Sequence, residues 1–184
     1  MKENRKFNNK KCWITGCGSG IGKALALQLS SLGADVYISG RSEESLQVVC
    51  KLDHSINYII LDVTDTKSWS KASAIIKDKF GHLDFMIFNA GTCKYIDLPT
   101  FSSDVFREVM NVNYMGIVNG LESVLPLLRQ SDDAHITAVT SSVARLPLPR
   151  AEAYGASKAA ATYLMSSLRL ALAGSGIGVS VVLP

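Results

Sequence analysis

Six short apolar runs alternate with five helix-patterned stretches along this chain, and no other feature constrains its fold as much. The runs at residues 12–15, 36–39, 58–61, 85–89, 135–140 and 179–183 read as strands. Between them, residues 20–32, 42–51, 67–80, 103–128 and 151–173 carry helical patterning. Strands that are apolar on both faces and separated by helices predict a parallel sheet covered on both sides. Right-handed crossovers then give an α/β, doubly wound fold. A length of 184 residues suffices for one domain with a sizeable core, not for two. The organisation expected is a basic tail over residues 1–10 and a single domain over 11–184.

The first crossover carries glycines. Thr15-Gly16-Cys17-Gly18-Ser19-Gly20-Ile21-Gly22 follows the first apolar run and opens the first helical stretch. Glycines at a strand-to-helix turn allow unusual backbone angles and a close approach to a ligand. The helix then offers free N–H groups and a positive dipole end to a pyrophosphate. A flexible Gly/Ser loop would read similarly, but the place between strand and helix is where a Rossmann-type dinucleotide fold needs such a turn.

The last helical stretch holds Tyr154 and Lys158, four residues apart and therefore on one helix face. A phenol ordinarily ionises near pH 10, and a neighbouring cation favours the phenolate. The pair is a candidate acid/base for an oxygen-bound proton. A solvated helix face is the plain alternative.

Composition narrows the function classes. With 47% hydrophobic and 19% charged residues the chain is globular. A net charge of +3, drawn partly from the tail, gives no argument for nucleic acid. Nothing resembling an apolar signal-peptide core follows the basic tail, and no apolar run is long enough to span a bilayer. Cys12, Cys17, Cys50 and Cys93 show neither metal-ligand nor disulfide-scaffold spacing. Reduced thiols and a cytoplasmic location are expected. Cys17 could be activated if it sits beside a helix N-terminus.

Taken together, these motifs resemble the short-chain dehydrogenase/reductase family from Lys11 to Pro184. The TGxxxGxG pattern is Thr15 to Gly22, the NAG motif is Asn89-Ala90-Gly91, the helix-4 asparagine is Asn113, and YxxxK is Tyr154 to Lys158. The resemblance implies hydride transfer between a nicotinamide dinucleotide and a small carbonyl or alcohol substrate. Tyr154 would exchange the proton. Lys158 would assist it and bind the nicotinamide ribose. Asn113 would hold a water behind Lys158, and a serine would stabilise the substrate oxygen. The family's spacing and the strand parity favour Ser141 for that role, while the Ser-Ser-Val-Ala text would select Ser142. Gly16, Gly18, Ser19, Gly20, Ile21 and Gly22 would hold the pyrophosphate. Asp62 and Val63 would flank the adenine, with Asn89, Ala90 and Gly91 beside the adenosine ribose.

The end of the second strand reads Gly40-Arg41. An acidic residue there would select NAD, whereas a small residue followed by a guanidinium suits a 2′-phosphate. NADP(H) is therefore expected over NAD(H). Loops 92–100 and 143–153 should border a moderately apolar substrate pocket, through residues such as Tyr95, Ile96, Leu146 and Leu148. The family's helix pairing implies a homodimer or homotetramer. The chain stops at Pro184, before the family's C-terminal strand and substrate lid, so either it is a piece of a longer, active protein or activity is expected to suffer. A catalytically impaired, dinucleotide-binding regulatory module is thus the alternative to an enzyme. A sugar-nucleotide epimerase is disfavoured by the glycine spacing.

Overall fold

The computed structural model describes residues 7–184, so residues 1–6 of the expected basic tail lie outside the described residues. Six strands build one sheet: β1 (Lys11–Thr15), β2 (Asp35–Gly40), β3 (Asn57–Ile60), β4 (Phe85–Phe88), β5 (Ala134–Val139) and β6 (Ile177–Val182). Their order is β3-β2-β1-β4-β5-β6, with every pairing parallel. Each forms within two residues of its expected bounds. The chain starts at the centre, runs outward to β3, returns beside β1 as β4, and continues outward to β6. The reversal between β1 and β4 opens a crevice at their carboxyl ends.

Burial on both faces explains the continuous apolar runs. Trp13 of β1 joins one core with Trp69, Ile76, Leu121 and Met165, while its neighbours Cys12 and Ile14 join another with Ala26, Leu29 and Leu46. Helices α1 (Gly20–Ser31) and α2 (Glu43–Leu52) cover the second face. Helices α3 (Thr66–Phe80), α5 (Gly116–Leu128) and α6 (Glu152–Ala171) cover the first. The large core is held by aromatic contacts with satisfied polar ends. Trp13 and Trp69 meet edge-on at 5.3 Å between ring centroids. Their indoles donate to Ser39 Oγ at 2.7 Å and to the Val63 carbonyl at 3.0 Å.

The single helix expected over 103–128 is corrected by the structure. Helix α4 (Ser103–Met110) gives way to a π-helical turn at Asn111–Met115 before α5 begins. A π turn takes up extra chain without ending the helix. Here it turns Asn113 fully inward while both flanking segments keep their apolar faces on the core. Glycine makes the close fit possible. A Cβ on Gly120 would lie 2.4 Å from a Phe88 ring carbon and 2.7 Å from Trp69. Apolar periodicity barely registers such a turn, so the helix reads as unbroken. At the far edge, β6 pairs only with β5 among the described residues. No helix among the described residues is long and apolar enough to cross a membrane.

Candidate active site

A cleft of about 630 Å³ opens at the carboxyl ends of β1, β2 and β4. Of the expected cofactor residues, Gly16, Gly18, Ser19, Arg41, Asp62, Val63, Ala90 and Gly91 line it. Asn89 and Gly22 instead build its floor. The Asn89 amide donates to the carbonyls of Thr15 and Gly16, at 3.1 and 2.9 Å. Thr15 Oγ1 accepts the backbone N–H of both Asn89 and Ala90, each at 3.2 Å. The ends of β1 and β4 are thus stitched together beneath the glycine turn. A Cβ on Gly22 would sit 2.4 Å from the Gly16 oxygen, so helix and turn touch only because Gly22 lacks one. Gly20 needs glycine for another reason: its φ of +56° lies in the left-handed region, with open space around it. Ile21 is half-exposed on the first turn of α1.

The start of α1 differs from the other helices near the cleft. Ser42, Asp65 and Ser102 cap α2, α3 and α4 by accepting a backbone N–H. Ser19 makes no such bond, and the first turn of α1 carries no acidic residue. Its N–H donors and positive dipole end are left to an anion in the cleft. Arg41 lies exposed on the rim and forms no ion pair among the described residues. Asp62 has two parts to play. Its Oδ1 accepts from the Thr64 N–H and hydroxyl, at 2.9 and 2.8 Å, which shapes the approach to α3. It also faces the cleft. Sequence reasoning missed Ser39, Ser45, Thr92 and Val112 in the lining. Ser45 had a readable signal, as the residue three after the helix-capping Ser42; Val112 had none.

Beyond Gly91 the cleft meets the second constellation. Lys158 is buried, and its Nζ donates to the Val139 carbonyl at 2.9 Å. Burial lowers its pKa to about 8. Nζ lies 5.8 Å from the Tyr154 ring centroid, one turn away on α6. A Cβ on Gly91 would fall 3.2 Å from Nζ and 3.3 Å from Asn113 Oδ1, so the loop after β4 passes directly against both. Asn113 clamps that loop. Its Oδ1 accepts the Thr92 N–H at 2.8 Å, and its Nδ2 donates to the Thr92 carbonyl and to Ser157 Oγ, both at 2.9 Å. Ser157 in turn donates to the Tyr154 carbonyl at 2.7 Å. Both amide hydrogens of Asn113 are therefore spent within the protein.

Ser141 and Ser142 separate clearly. Ser141 is buried at the end of β5, and its Oγ accepts the Val143 N–H at 3.3 Å. The backbone-capping role expected of the other serine thus falls to Ser141, yet its hydroxyl proton stays free to donate. Ser142 is exposed, and its N–H donates to the Pro184 carbonyl at 3.1 Å.

Two expectations are overturned. Cys17 is fully buried with its thiol on the Ile14 carbonyl, and desolvation pushes its pKa up to about 12, so no activated thiol stands in the loop. Ile96, expected beside the pocket, is buried against Val109 and Ala153. Tyr95, Leu146 and Leu148 are exposed, and Leu148, with Val143 and Pro147 of the same expected loop, lines a second cavity against Gly155 and Ala159 of α6.

Comparisons with known proteins agree with this geometry. A family model described as short chain dehydrogenase matches residues 10–184. The human protein Dehydrogenase/reductase SDR family member 7 is 33% identical over 181 residues, covering 94% of this chain and 53% of that protein. The chain thus spans about half the length of that relative. The 3-oxoacyl-(acyl-carrier-protein) reductase FabG of Thermotoga maritima is 31% identical over 183 residues, covering 97% of this chain and 74% of that protein. Among solved structures, the Pseudomonas aeruginosa RhlG/NADP active-site complex superposes with a TM-score of 0.94 at 26% identity, covering 100% of this chain and 75% of that one.

Proposed function

Because the chain belongs to the short chain dehydrogenase family, we propose that it is an NADP(H)-dependent oxidoreductase acting on the carbonyl/alcohol pair of a small molecule. One observation carries this reading: Gly91 lines the cleft and at the same time lies against Lys158, one helical turn from Tyr154. A dinucleotide-sized cleft and a proton-exchanging pair therefore meet at a single point. A nicotinamide dinucleotide bound there supplies the hydride donor or acceptor.

The chain's own residues do the rest. The uncapped start of α1, with Gly16, Gly18, Ser19, Gly20, Ile21 and Gly22, holds the pyrophosphate. Asp62 and Val63 flank the adenine, and Asn89, Ala90 and Gly91 run beside the ribose. Arg41 binds a 2′-phosphate bidentately, which favours NADP(H). The NADP in the similar bacterial complex supports that preference. Tyr154 gives its proton to the substrate oxygen during reduction and takes it back during oxidation. Lys158 stabilises the negative charge that develops on the phenol oxygen, and its low-dielectric setting strengthens that effect. The Ser141 hydroxyl donates to the substrate oxygen as charge builds there. The Asn113 side chain, engaged with Thr92 and Ser157, holds the loop after β4 against Lys158.

We read residues 11–184 as one dinucleotide-binding domain of a cytoplasmic protein. The exposed Tyr163 and Leu170 on α6 favour a homo-oligomer through that helix.

The test is a fluorescence titration with NADPH and with NADH, using the chain and its Arg41→Asp variant. NADPH should bind at least about tenfold more tightly than NADH, and the variant should erase the preference. Equal affinities would overturn the cofactor choice, and binding of neither would overturn the dinucleotide reading. Binding of NADPH without turnover of any carbonyl would favour a regulatory module.

A further inference from the structure

Arg150 belongs to the 143–153 loop expected to border the substrate pocket, and its backbone is in the left-handed region, with φ of +68°. A non-glycine residue is held there only where its surroundings over-determine it. The surroundings of Arg150 do so through one partner segment. Its carbonyl accepts the Ile96 N–H at 2.8 Å, and its Nε donates back to the Ile96 carbonyl at 3.4 Å. Both backbone polar groups of Ile96 are thus taken by a single residue. The guanidinium lies over the Tyr95 ring, 5.6 Å from its centroid. The Arg150 N–H donates to Glu152 Oε1 at 3.1 Å, which fixes it to the first turn of α6. Ile96 itself is sealed against Val109 and Ala153.

These contacts close a ring. Thr92 is bonded to Asn113, Asn113 to Ser157, and Ser157 to the Tyr154 carbonyl. The chain then leads back from Tyr154 to Arg150, across to Ile96, and along the loop to Thr92. The ring runs from the lining of the cofactor cleft to the proton-exchanging tyrosine. We infer that Arg150 is a positioning residue that pins the loop over 93–97 to the start of α6 and so holds the loop leaving the cleft at Thr92 in place beside Tyr154, where a carbonyl substrate would enter. The inference rests on the oxidoreductase reading. Arginine suits the task because its planar group donates from Nε while its face lies on a ring, which the flexible ammonium of lysine does not reproduce.

The test compares Arg150→Gly and Arg150→Lys with the unaltered chain. Glycine adopts a φ of this sign without strain, so Arg150→Gly keeps the fold and loses only the side-chain pin. Its KM for a carbonyl substrate should rise by about tenfold or more, with kcat changed less than about threefold. NADPH affinity should be unchanged. Amide hydrogen exchange over 93–97 should speed up by about tenfold or more. Arg150→Lys should not restore either value. Unchanged exchange in Arg150→Gly, or rescue of KM by lysine, would overturn the pin. Exchange is read without turnover, so the inference can fail while the oxidoreductase reading stands, and the reverse.

Discussion

Lys158 is the residue whose chemistry the sequence states and whose environment only the fold supplies. The four-residue step to Tyr154 is legible in the sequence, because a helix places such residues on one face. The burial that lowers the lysine's pKa from 10.5 to about 8, and the Val139 carbonyl that accepts from its Nζ, are supplied by the packing of α6 on β5, and no local pattern announces them. That shift has a thermodynamic signature. Between pH 8 and 10.5 the folded chain has released a proton that the unfolded chain still holds. Unfolding free energy therefore gains a term that rises with pH across that window, on the order of 3 kcal/mol at its upper end. Cys12 and Cys17 pull the other way. Burial raises both to about 12, so above about pH 9 the unfolded thiols ionise while the folded ones do not. Urea unfolding of the chain and of Lys158→Met from pH 7 to 10 isolates the lysine, since the cysteines are common to both. The difference in stability should shift in favour of the unaltered chain as pH rises past 8. A difference that is flat with pH would mean that Lys158 keeps an ordinary pKa.

At the scale of elements, the β1–α1 turn was readable as a glycine motif, but the motif does not tell which glycine does what. Gly20 is needed for its backbone angle and Gly22 for the missing side chain. Alanine should separate them. Gly20→Ala should cost about 1–2 kcal/mol from the left-handed backbone alone. Gly22→Ala should cost about 1–3 kcal/mol by forcing α1 away from the turn. It should also weaken dinucleotide binding more than Gly20→Ala does, because Asn89 Nδ2 lies 2.5 Å from the added Cβ. Thermal unfolding and NADPH titration of both variants check this ordering. The strands and helix positions were legible because apolar period and glycine punctuation follow the local backbone. The π turn at Asn111–Met115 was not, because it barely disturbs the apolar period of the flanking helices, and the Thr92 that Asn113 meets from it lies far along the chain. Ile96 misled for the same reason: an apolar loop residue looks like a pocket wall until Val109 and Ala153 are seen to cover it.

For the whole molecule, the parallel sheet brings together residues that are widely separated in sequence. Gly16 of the first turn, Gly91 after β4, Asn113 of the π turn and Lys158 of α6 converge because β1, β4 and β5 are neighbours whose carboxyl ends point the same way. Strand order is what the sequence carries least directly, yet the alternation of strands and helices restricts it to a doubly wound arrangement. The central claim is that Tyr154 exchanges a proton with a substrate oxygen at the end of the cleft. The most direct test follows NADPH oxidation by the chain and by Tyr154→Phe against a panel of aldehydes, ketones and quinones, with NADPH affinity measured in parallel. The account predicts turnover by the unaltered chain with at least one of them, and a loss of about 100-fold or more in Tyr154→Phe with NADPH affinity within about twofold. Turnover by Tyr154→Phe at the rate of the unaltered chain would contradict it.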